Sequence, residues 1–254
     1  MDGEVFCSRP SGLRATGERA TSSSRYHSPP LPGLSMFANL PPVTKGLMIA
    51  NGAVFVLQML LGDVTLAPFM LWPLGDGPDP FAQTQTFLPW QLLTYGFMHG
   101  GAMHLLFNML ALMMFGAPLE HTWGQKRFAT YYLTCVAGAG VCQLLVGSWT
   151  LAQGGAAYPT VGASGGVFGL LFAYGLLFPN QRVMLLIPPI PMKARTLVIV
   201  YGAIELFLGA SGMQPGVAHF AHLGGMLFGW LLIRNWRGQP PFGRRRAPGP
   251  RRIH

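Results

Sequence analysis

The chain has 254 residues, half of them hydrophobic and only 10% charged, against roughly 25% charged in an ordinary soluble domain. With a mean hydropathy of +0.37, this composition excludes an ordinary water-soluble globule and points to a polytopic membrane protein. The net charge of +9 suggests nucleic acid at first sight, but five arginines fall within 244–252 and most other basic residues flank apolar runs, so no nucleic-acid partner is expected.

Residues 1–42 are polar, with Ser and Pro clusters and few large apolar side chains. They bury too little surface to repay ordering and are expected to form a disordered cytoplasmic tail. The tail has no apolar h-region and does not read as a secretory signal. Met36, just before the first apolar run, is a candidate start, which N-terminal sequencing of the native protein checks.

Six apolar stretches follow, at about Val43–Leu61, Gly101–Leu119, Phe128–Val146, Gly162–Phe178, Thr196–Ala210 and Val217–Ile233. Each is near the length that crosses a hydrocarbon core of about 30 Å. The expected fold is an all-α bundle of six transmembrane helices over 43–236. The connection after the first stretch, about Gly62–Gly100, carries Phe69, Leu71, Trp72, Phe81, Phe87 and Trp90. It is too apolar to float in water and is expected at the boundary of the outer leaflet. Residues 237–254 form a basic tail suited to anionic lipid.

All lysines and arginines lie in the two tails and their junctions, the 2–3 connection or the 4–5 connection, and the 1–2, 3–4 and 5–6 connections have none. By the positive-inside rule both termini are expected to be cytoplasmic. An odd number of helices would break this alternation.

Ionisable groups at membrane depth are costly and therefore functional candidates. His104 lies 13 residues before Ala117, Ser164 lies 14 before Phe178, and His222 lies 11 before Ile233. At about 1.5 Å per residue these positions stand roughly 20, 21 and 17 Å above the cytoplasmic ends. Three helices thus bring a serine and two histidines to one level, and Asn108 follows His104 by one turn on the same face. Ser164 lies in Gly-Ala-Ser-Gly at a helix start, where unpaired N–H groups and the positive dipole end favour an oxyanion. His222 can take the serine proton, and His104 and Asn108 can donate to the oxyanion. No third carboxylate is expected at that level, and Glu205, without an obvious basic partner, reads as a protonated or hydrogen-bonded packing residue.

The string Gly162-Ala-Ser164-Gly, the His104-x-x-x-Asn108 pair and Ala221-His222-Leu-Gly-Gly-Met-Leu-Phe-Gly229 resemble the rhomboid intramembrane serine proteases over about residues 43–236. The resemblance implies Ser164 as nucleophile, His222 as general base, and an oxyanion hole from His104, Asn108 and the Ser164 N–H within the Gly162 segment. It also implies a supporting role for His99, and Glu120 with Trp123-Gly124 looks like the family's inter-helix signature. It further implies substrates that are single-pass or polytopic membrane proteins, cut within or beside a transmembrane segment, with no metal or cofactor required. A bacterial-type cytoplasmic membrane is the expected location. Two positions depart from the family pattern. Phe168 stands where a tyrosine often stacks on the base histidine, and Gln91 follows Trp90 where an arginine is common.

Simpler readings compete. A lone intramembrane serine usually packs helices, a buried histidine is often a neutral core residue, and His104 with Asn108 can merely bridge helices. Cys135 and Cys142 read as small apolar packing residues, the Met98–Met114 stretch as adaptable packing, and His219 as a supporting residue at most. Two other function classes fit the topology: a non-catalytic rhomboid-like escort of membrane clients, and a small transporter or proton channel built on the histidines. Labelling of Ser164 by a serine-directed probe separates the first from a protease. Flux that survives Ser164→Ala identifies the second.

Overall fold

The computed structural model describes residues 39–75, 86–184, 189–213 and 217–239. Most of both tails lies outside the described residues, as do Met36, Asp76, Asp79 and Phe81. Six helices of fourteen residues or more dominate the described residues: α1 Pro42–Leu61, α2 Ala102–Trp123, α3 Gln125–Ala152, α4 Ser164–Leu177, α5 Ala194–Ser211 and α6 His219–Trp236. Among the described residues α1, α2, α3 and α5 are long and apolar enough to cross a membrane, and α4 is a shorter apolar helix. All six overlap the stretches expected from the sequence, but α2 and α3 extend well beyond their apolar windows and α4 falls inside its own at both ends. A single residue, Gly124 at φ 77°, joins them. That positive φ lets the chain reverse without a longer loop, so the polar residues expected to form the 2–3 connection are helical instead.

Local chemistry explains how these helices start and bend. Pro42 occupies the first turn of α1, where its missing N–H costs nothing. The next two N–H groups, of Val43 and Thr44, donate to Glu120 Oε1 and Oε2 at 2.9 and 2.7 Å, and the Thr44 hydroxyl adds a bond to Oε2 at 2.8 Å. The buried Glu120 carboxylate therefore caps α1 from the end of α2 and satisfies donors that are otherwise orphaned. Within α2 the turn Leu112–Gly116 is π-helical and ends two residues before Pro118. A proline inside a helix cannot donate to the preceding turn, and a π-bulge absorbs the mismatch.

The 1–2 connection, in its described residues 62–75 and 86–100, is folded. It contains the short helices Asp63–Leu66, Ala67–Phe69, Gln91–Thr94 and Tyr95–Phe97. Ala67, Met70, Trp72 and Met98 form a small apolar core of its own. Gln91 is fully buried and stitches this connection together. Its Oε1 accepts the Trp72 N–H at 3.1 Å, and its Nε2 donates to the carbonyls of Pro68 and Thr86 at 3.1 and 3.3 Å. A guanidinium has no acceptor and cannot take the Trp72 N–H. The glutamine thus carries a loop-ordering contact that an arginine at 91 cannot make.

The 4–5 connection departs from the all-α expectation. Arg182–Met184 (β1) and Pro191–Lys193 (β2) pair antiparallel, with Arg182 opposite Lys193 and Val183 opposite Met192. Two three-residue strands are too short to leave a periodic signal in the sequence.

Helix α4 sits at the centre, against α2, α3, α5 and α6. Its small residues set how closely its neighbours approach. A Cβ at Gly165 would overlap Ala139, one at Gly169 would overlap Cys135, and one at Gly225 of α6 would overlap the Gly165 carbonyl oxygen. Backbone thus meets backbone where α4 crosses α6. The hydroxyl of Tyr131 in α3 donates to the Gly169 carbonyl at 2.9 Å and closes the third side.

Candidate active site

At 14 residues, α4 is about 21 Å long, well short of a hydrocarbon core of about 30 Å. The chain from Gln153 to Ala163 descends without helix before α4 begins. Irregular backbone at such depth needs protein partners. It finds them in the 1–2 connection: Leu71 and Thr160 exchange N–H···O bonds at 3.0 and 2.8 Å, and the Gly162 N–H donates to the Tyr95 carbonyl at 2.9 Å. Ser164, as the first residue of α4, therefore lies inside the bundle with its own N–H lacking an intrahelical acceptor.

Helix α6 begins at His219, so His222 lies in its first turn. The close Gly165–Gly225 crossing brings the two helix starts together. Ser164 Oγ stands 2.8 Å from His222 Nε2. Phe168, one turn after Ser164, stacks on the His222 ring at a centroid distance of 4.2 Å and an interplanar angle of 4°. The stacking role anticipated for an aromatic at 168 needs only the ring, and the missing hydroxyl does not alter it.

His104 Nδ1 accepts the Gly100 N–H at 3.3 Å. In a neutral imidazole this leaves the proton on Nε2. A Cβ built on Gly162 would lie 2.9 Å from His104 Nε2 and 3.6 Å from Ser164 Oγ. The open face of Gly162, at φ 131°, is thus a small space between a donor and the serine, a position only glycine keeps empty without backbone strain. Asn108 is buried and donates one amide proton to the His104 carbonyl at 2.9 Å; an amide carries a second. His99 is buried behind His104, ring centroids 5.2 Å apart, and makes no bond to Ser164 or His222. Its backbone is held by Gln58, which accepts the His99 N–H at 2.8 Å and donates to its carbonyl at 3.1 Å.

A cavity of about 1380 Å³ opens over these groups, lined by His104, Asn108, Ser164, Phe168, Tyr201 and His222 among others. It lies between α2 and α5 and reaches the Gly-rich segment before α4.

One residue was misread in the sequence. Glu205 does have basic partners. Its Oε2 lies 2.7 Å from His219 Nδ1 and 2.9 Å from His222 Nδ1, and all three residues are buried. The His219 contact has hydrogen-bond alignment, whereas the His222 contact is at ion-pair distance with its angle off the bond line. The signal was available. Glu205 lies 11 residues into α5, which runs opposite to α6, and His222 lies 11 before Ile233. The same 1.5 Å rise gives both roughly 17 Å of height.

Comparison with known proteins agrees with the fold. The rhomboid domain family model matches residues 87–236. RHOMBOID-like protein 4 of Arabidopsis thaliana is 34% identical over 63% of this chain and 38% of its own length. Rhomboid protein 1, mitochondrial, of Saccharomyces cerevisiae is 29% identical over 78% of this chain and 58% of its own. Rhomboid protease GlpG of Serratia proteamaculans is 28% identical over 77% of this chain and 62% of its own. The chain thus spans between about a third and two thirds of these relatives, which come from plant, fungal and bacterial sources and point to no single cellular membrane. A matched domain covering more than half of the chain, on a helical bundle with membrane-length apolar helices, makes this integral membrane protein a member of the rhomboid family.

Proposed function

We propose that the protein is an intramembrane serine endopeptidase that cuts membrane-protein substrates within or beside a transmembrane segment. The observation that carries this reading is the 2.8 Å contact between Ser164 Oγ and His222 Nε2 under the stacked Phe168 ring. Ser164 Oγ attacks the scissile carbonyl carbon while its proton passes to His222 Nε2. The carbonyl oxygen becomes the oxyanion and settles over Gly162, with His104 Nε2–H, the Asn108 amide and the Ser164 N–H as the proposed donors. As the C–N bond breaks, His222 returns the proton to the leaving amine. Water, deprotonated by the same imidazole, then attacks the acyl-enzyme and frees the acid, restoring Ser164. A substrate helix must unwind locally first, because its carbonyls are hydrogen-bonded and shielded, so small or helix-weakening residues near the cut favour cleavage.

The proposed topology has six crossings with both termini on the cytoplasmic side. Support comes from two contacts at one end of the bundle: Glu120 of α2 with the start of α1, and Arg127 at the start of α3 over the Trp236 ring at the end of α6, 4.9 Å from its centroid. The basic residues Lys45, Lys126, Arg127, Arg234 and Arg237 flank those same helix ends.

The reading is tested by a fluorophosphonate or isocoumarin probe on the detergent-solubilised chain. Covalent labelling at Ser164 is expected, and an intact fold without labelling rejects the protease in favour of an escort. His104→Ala removes one oxyanion donor and is expected to lower kcat about 10²–10³-fold with little change in KM. A change below threefold in reconstituted cleavage assays contradicts the role given to His104.

A further inference from the structure

The buried cluster of Glu205, His219 and His222 joins α5 to α6 directly behind the serine. A carboxylate at this depth is costly unless partnered, and here one oxygen faces two imidazole Nδ1 atoms at 2.7 and 2.9 Å. A metal ion is one occupant that a carboxylate and two histidines can hold. The spacing speaks against it: two ligands on one tetrahedral zinc, with bonds of about 2.0–2.1 Å, stand about 3.3 Å apart. Separations of 2.7 and 2.9 Å are hydrogen-bond distances, met with alignment at His219 and off the line at His222.

The consequences for His222 follow from its two ring nitrogens. Nε2 must be unprotonated to accept the serine proton, so in the neutral ring the proton sits on Nδ1. That Nδ1 lies 2.9 Å from Glu205 Oε2 with its N–H off the line to the oxygen, so a small turn of the ring or the carboxylate makes the bond. When Nε2 then takes the serine proton, the imidazolium positive charge forms beside a carboxylate in a medium of low dielectric. His219 Nδ1 anchors the same oxygen from one turn earlier on α6. Phe168 fixes the plane of the His222 ring but offers no acceptor, so among the described residues Glu205 is the group able to select the tautomer. Ser164 faces the opposite edge, at Nε2.

We propose that Glu205 is a positioning residue for catalysis. It accepts the His222 Nδ1–H and stabilises the imidazolium formed during attack, so that the site works as Ser164–His222–Glu205 rather than as a pair. This inference rests on the protease reading given above.

The test compares the native full-length chain with Glu205→Gln and Glu205→Asp, reconstituted with a single-pass substrate. Thermal unfolding in detergent checks that each variant is folded. Glu205→Gln keeps the shape but replaces one acceptor oxygen by a donor, and is expected to lower kcat at least about tenfold with KM within twofold. Glu205→Asp keeps the charge and is expected to recover part of kcat. Independently of turnover, ¹⁵N spectra of histidine-labelled native protein are expected to show His222, assigned by its loss in His222→Ala, as the Nδ1–H tautomer, with that population reduced in Glu205→Gln. Native kcat in a folded Glu205→Gln variant overturns the proposal while leaving the protease reading intact. A native His222 spectrum in the Nε2–H form overturns it whether or not cleavage is seen. Absence of cleavage by the native chain, with the expected tautomer present, counts against the protease reading and not against the Glu205–His222 bond.

Discussion

His222→Ala is expected to lower kcat by at least about 10⁴-fold while leaving a folded protein. The reasoning is one of shared function: nucleophile and base act as a unit, so removing either costs most of what removing both costs. Among the described residues the His222 imidazole is the side chain hydrogen-bonded to Ser164 Oγ, and His222→Ala removes it. The stacked Phe168 ring has no acceptor, and His104 carries its proton on Nε2 because Nδ1 takes the Gly100 N–H. The fold is expected to survive because Glu205 keeps its hydrogen bond to His219 and the α4–α6 crossing depends on glycines rather than on His222. Turnover measured in liposomes, with thermal unfolding in the same detergent as control, checks both halves. Activity within tenfold of the native chain sinks the assignment of His222 as base.

Gly225→Ala is expected to act on structure and chemistry together. A methyl group there overlaps the Gly165 carbonyl oxygen, and backbone cannot swing aside as a flexible side chain does. Overpacking in a close-packed interior costs about 1–3 kcal/mol, occasionally more, and this site belongs at the upper end. The helices relieve the overlap by separating, and their starts carry Ser164 and His222. A displacement of about 1 Å at reacting groups costs about 10²-fold in rate. The expected result is a lower Tm together with a probe-labelling rate at Ser164 reduced at least about 10²-fold. Gly52→Ala on α1 meets nothing within 4 Å and is expected to leave both readings unchanged. If Gly225→Ala behaves like Gly52→Ala, the crossing does not set the dyad distance.

Much of this was legible in the sequence because the signals are local or additive. Apolar runs located all six helices, since length and composition alone decide membrane compatibility. The common level of His104, Ser164 and His222 followed from a constant rise per residue. The stacking of Phe168 on the His222 ring followed from the resemblance to the family, since spacing alone does not say what the ring at 168 touches. What escaped depends on tertiary geometry. The extension of α2 and α3 to a one-residue joint required the positive φ of Gly124. The hairpin of β1 and β2 is too short to show periodicity. The role of Gln91 depends on the path of the loop from Pro68 to Trp72, which no spacing encodes. Glu205 is the instructive case, because its height is calculable from the sequence, yet height alone does not say which helix faces which. The direction of α5 placed it beside His222, and only coordinates show the 2.9 Å contact.

The central claim is most directly tested by reconstituting the native chain and its Ser164→Ala variant with a single-pass membrane substrate and following cleavage by electrophoresis and mass spectrometry. The native chain is expected to cut at a single region in or beside the transmembrane segment, and Ser164→Ala, equally folded, to give no product above background. Equal cleavage by both chains, or none by a folded native chain on substrates with helix-weakening residues, contradicts the account.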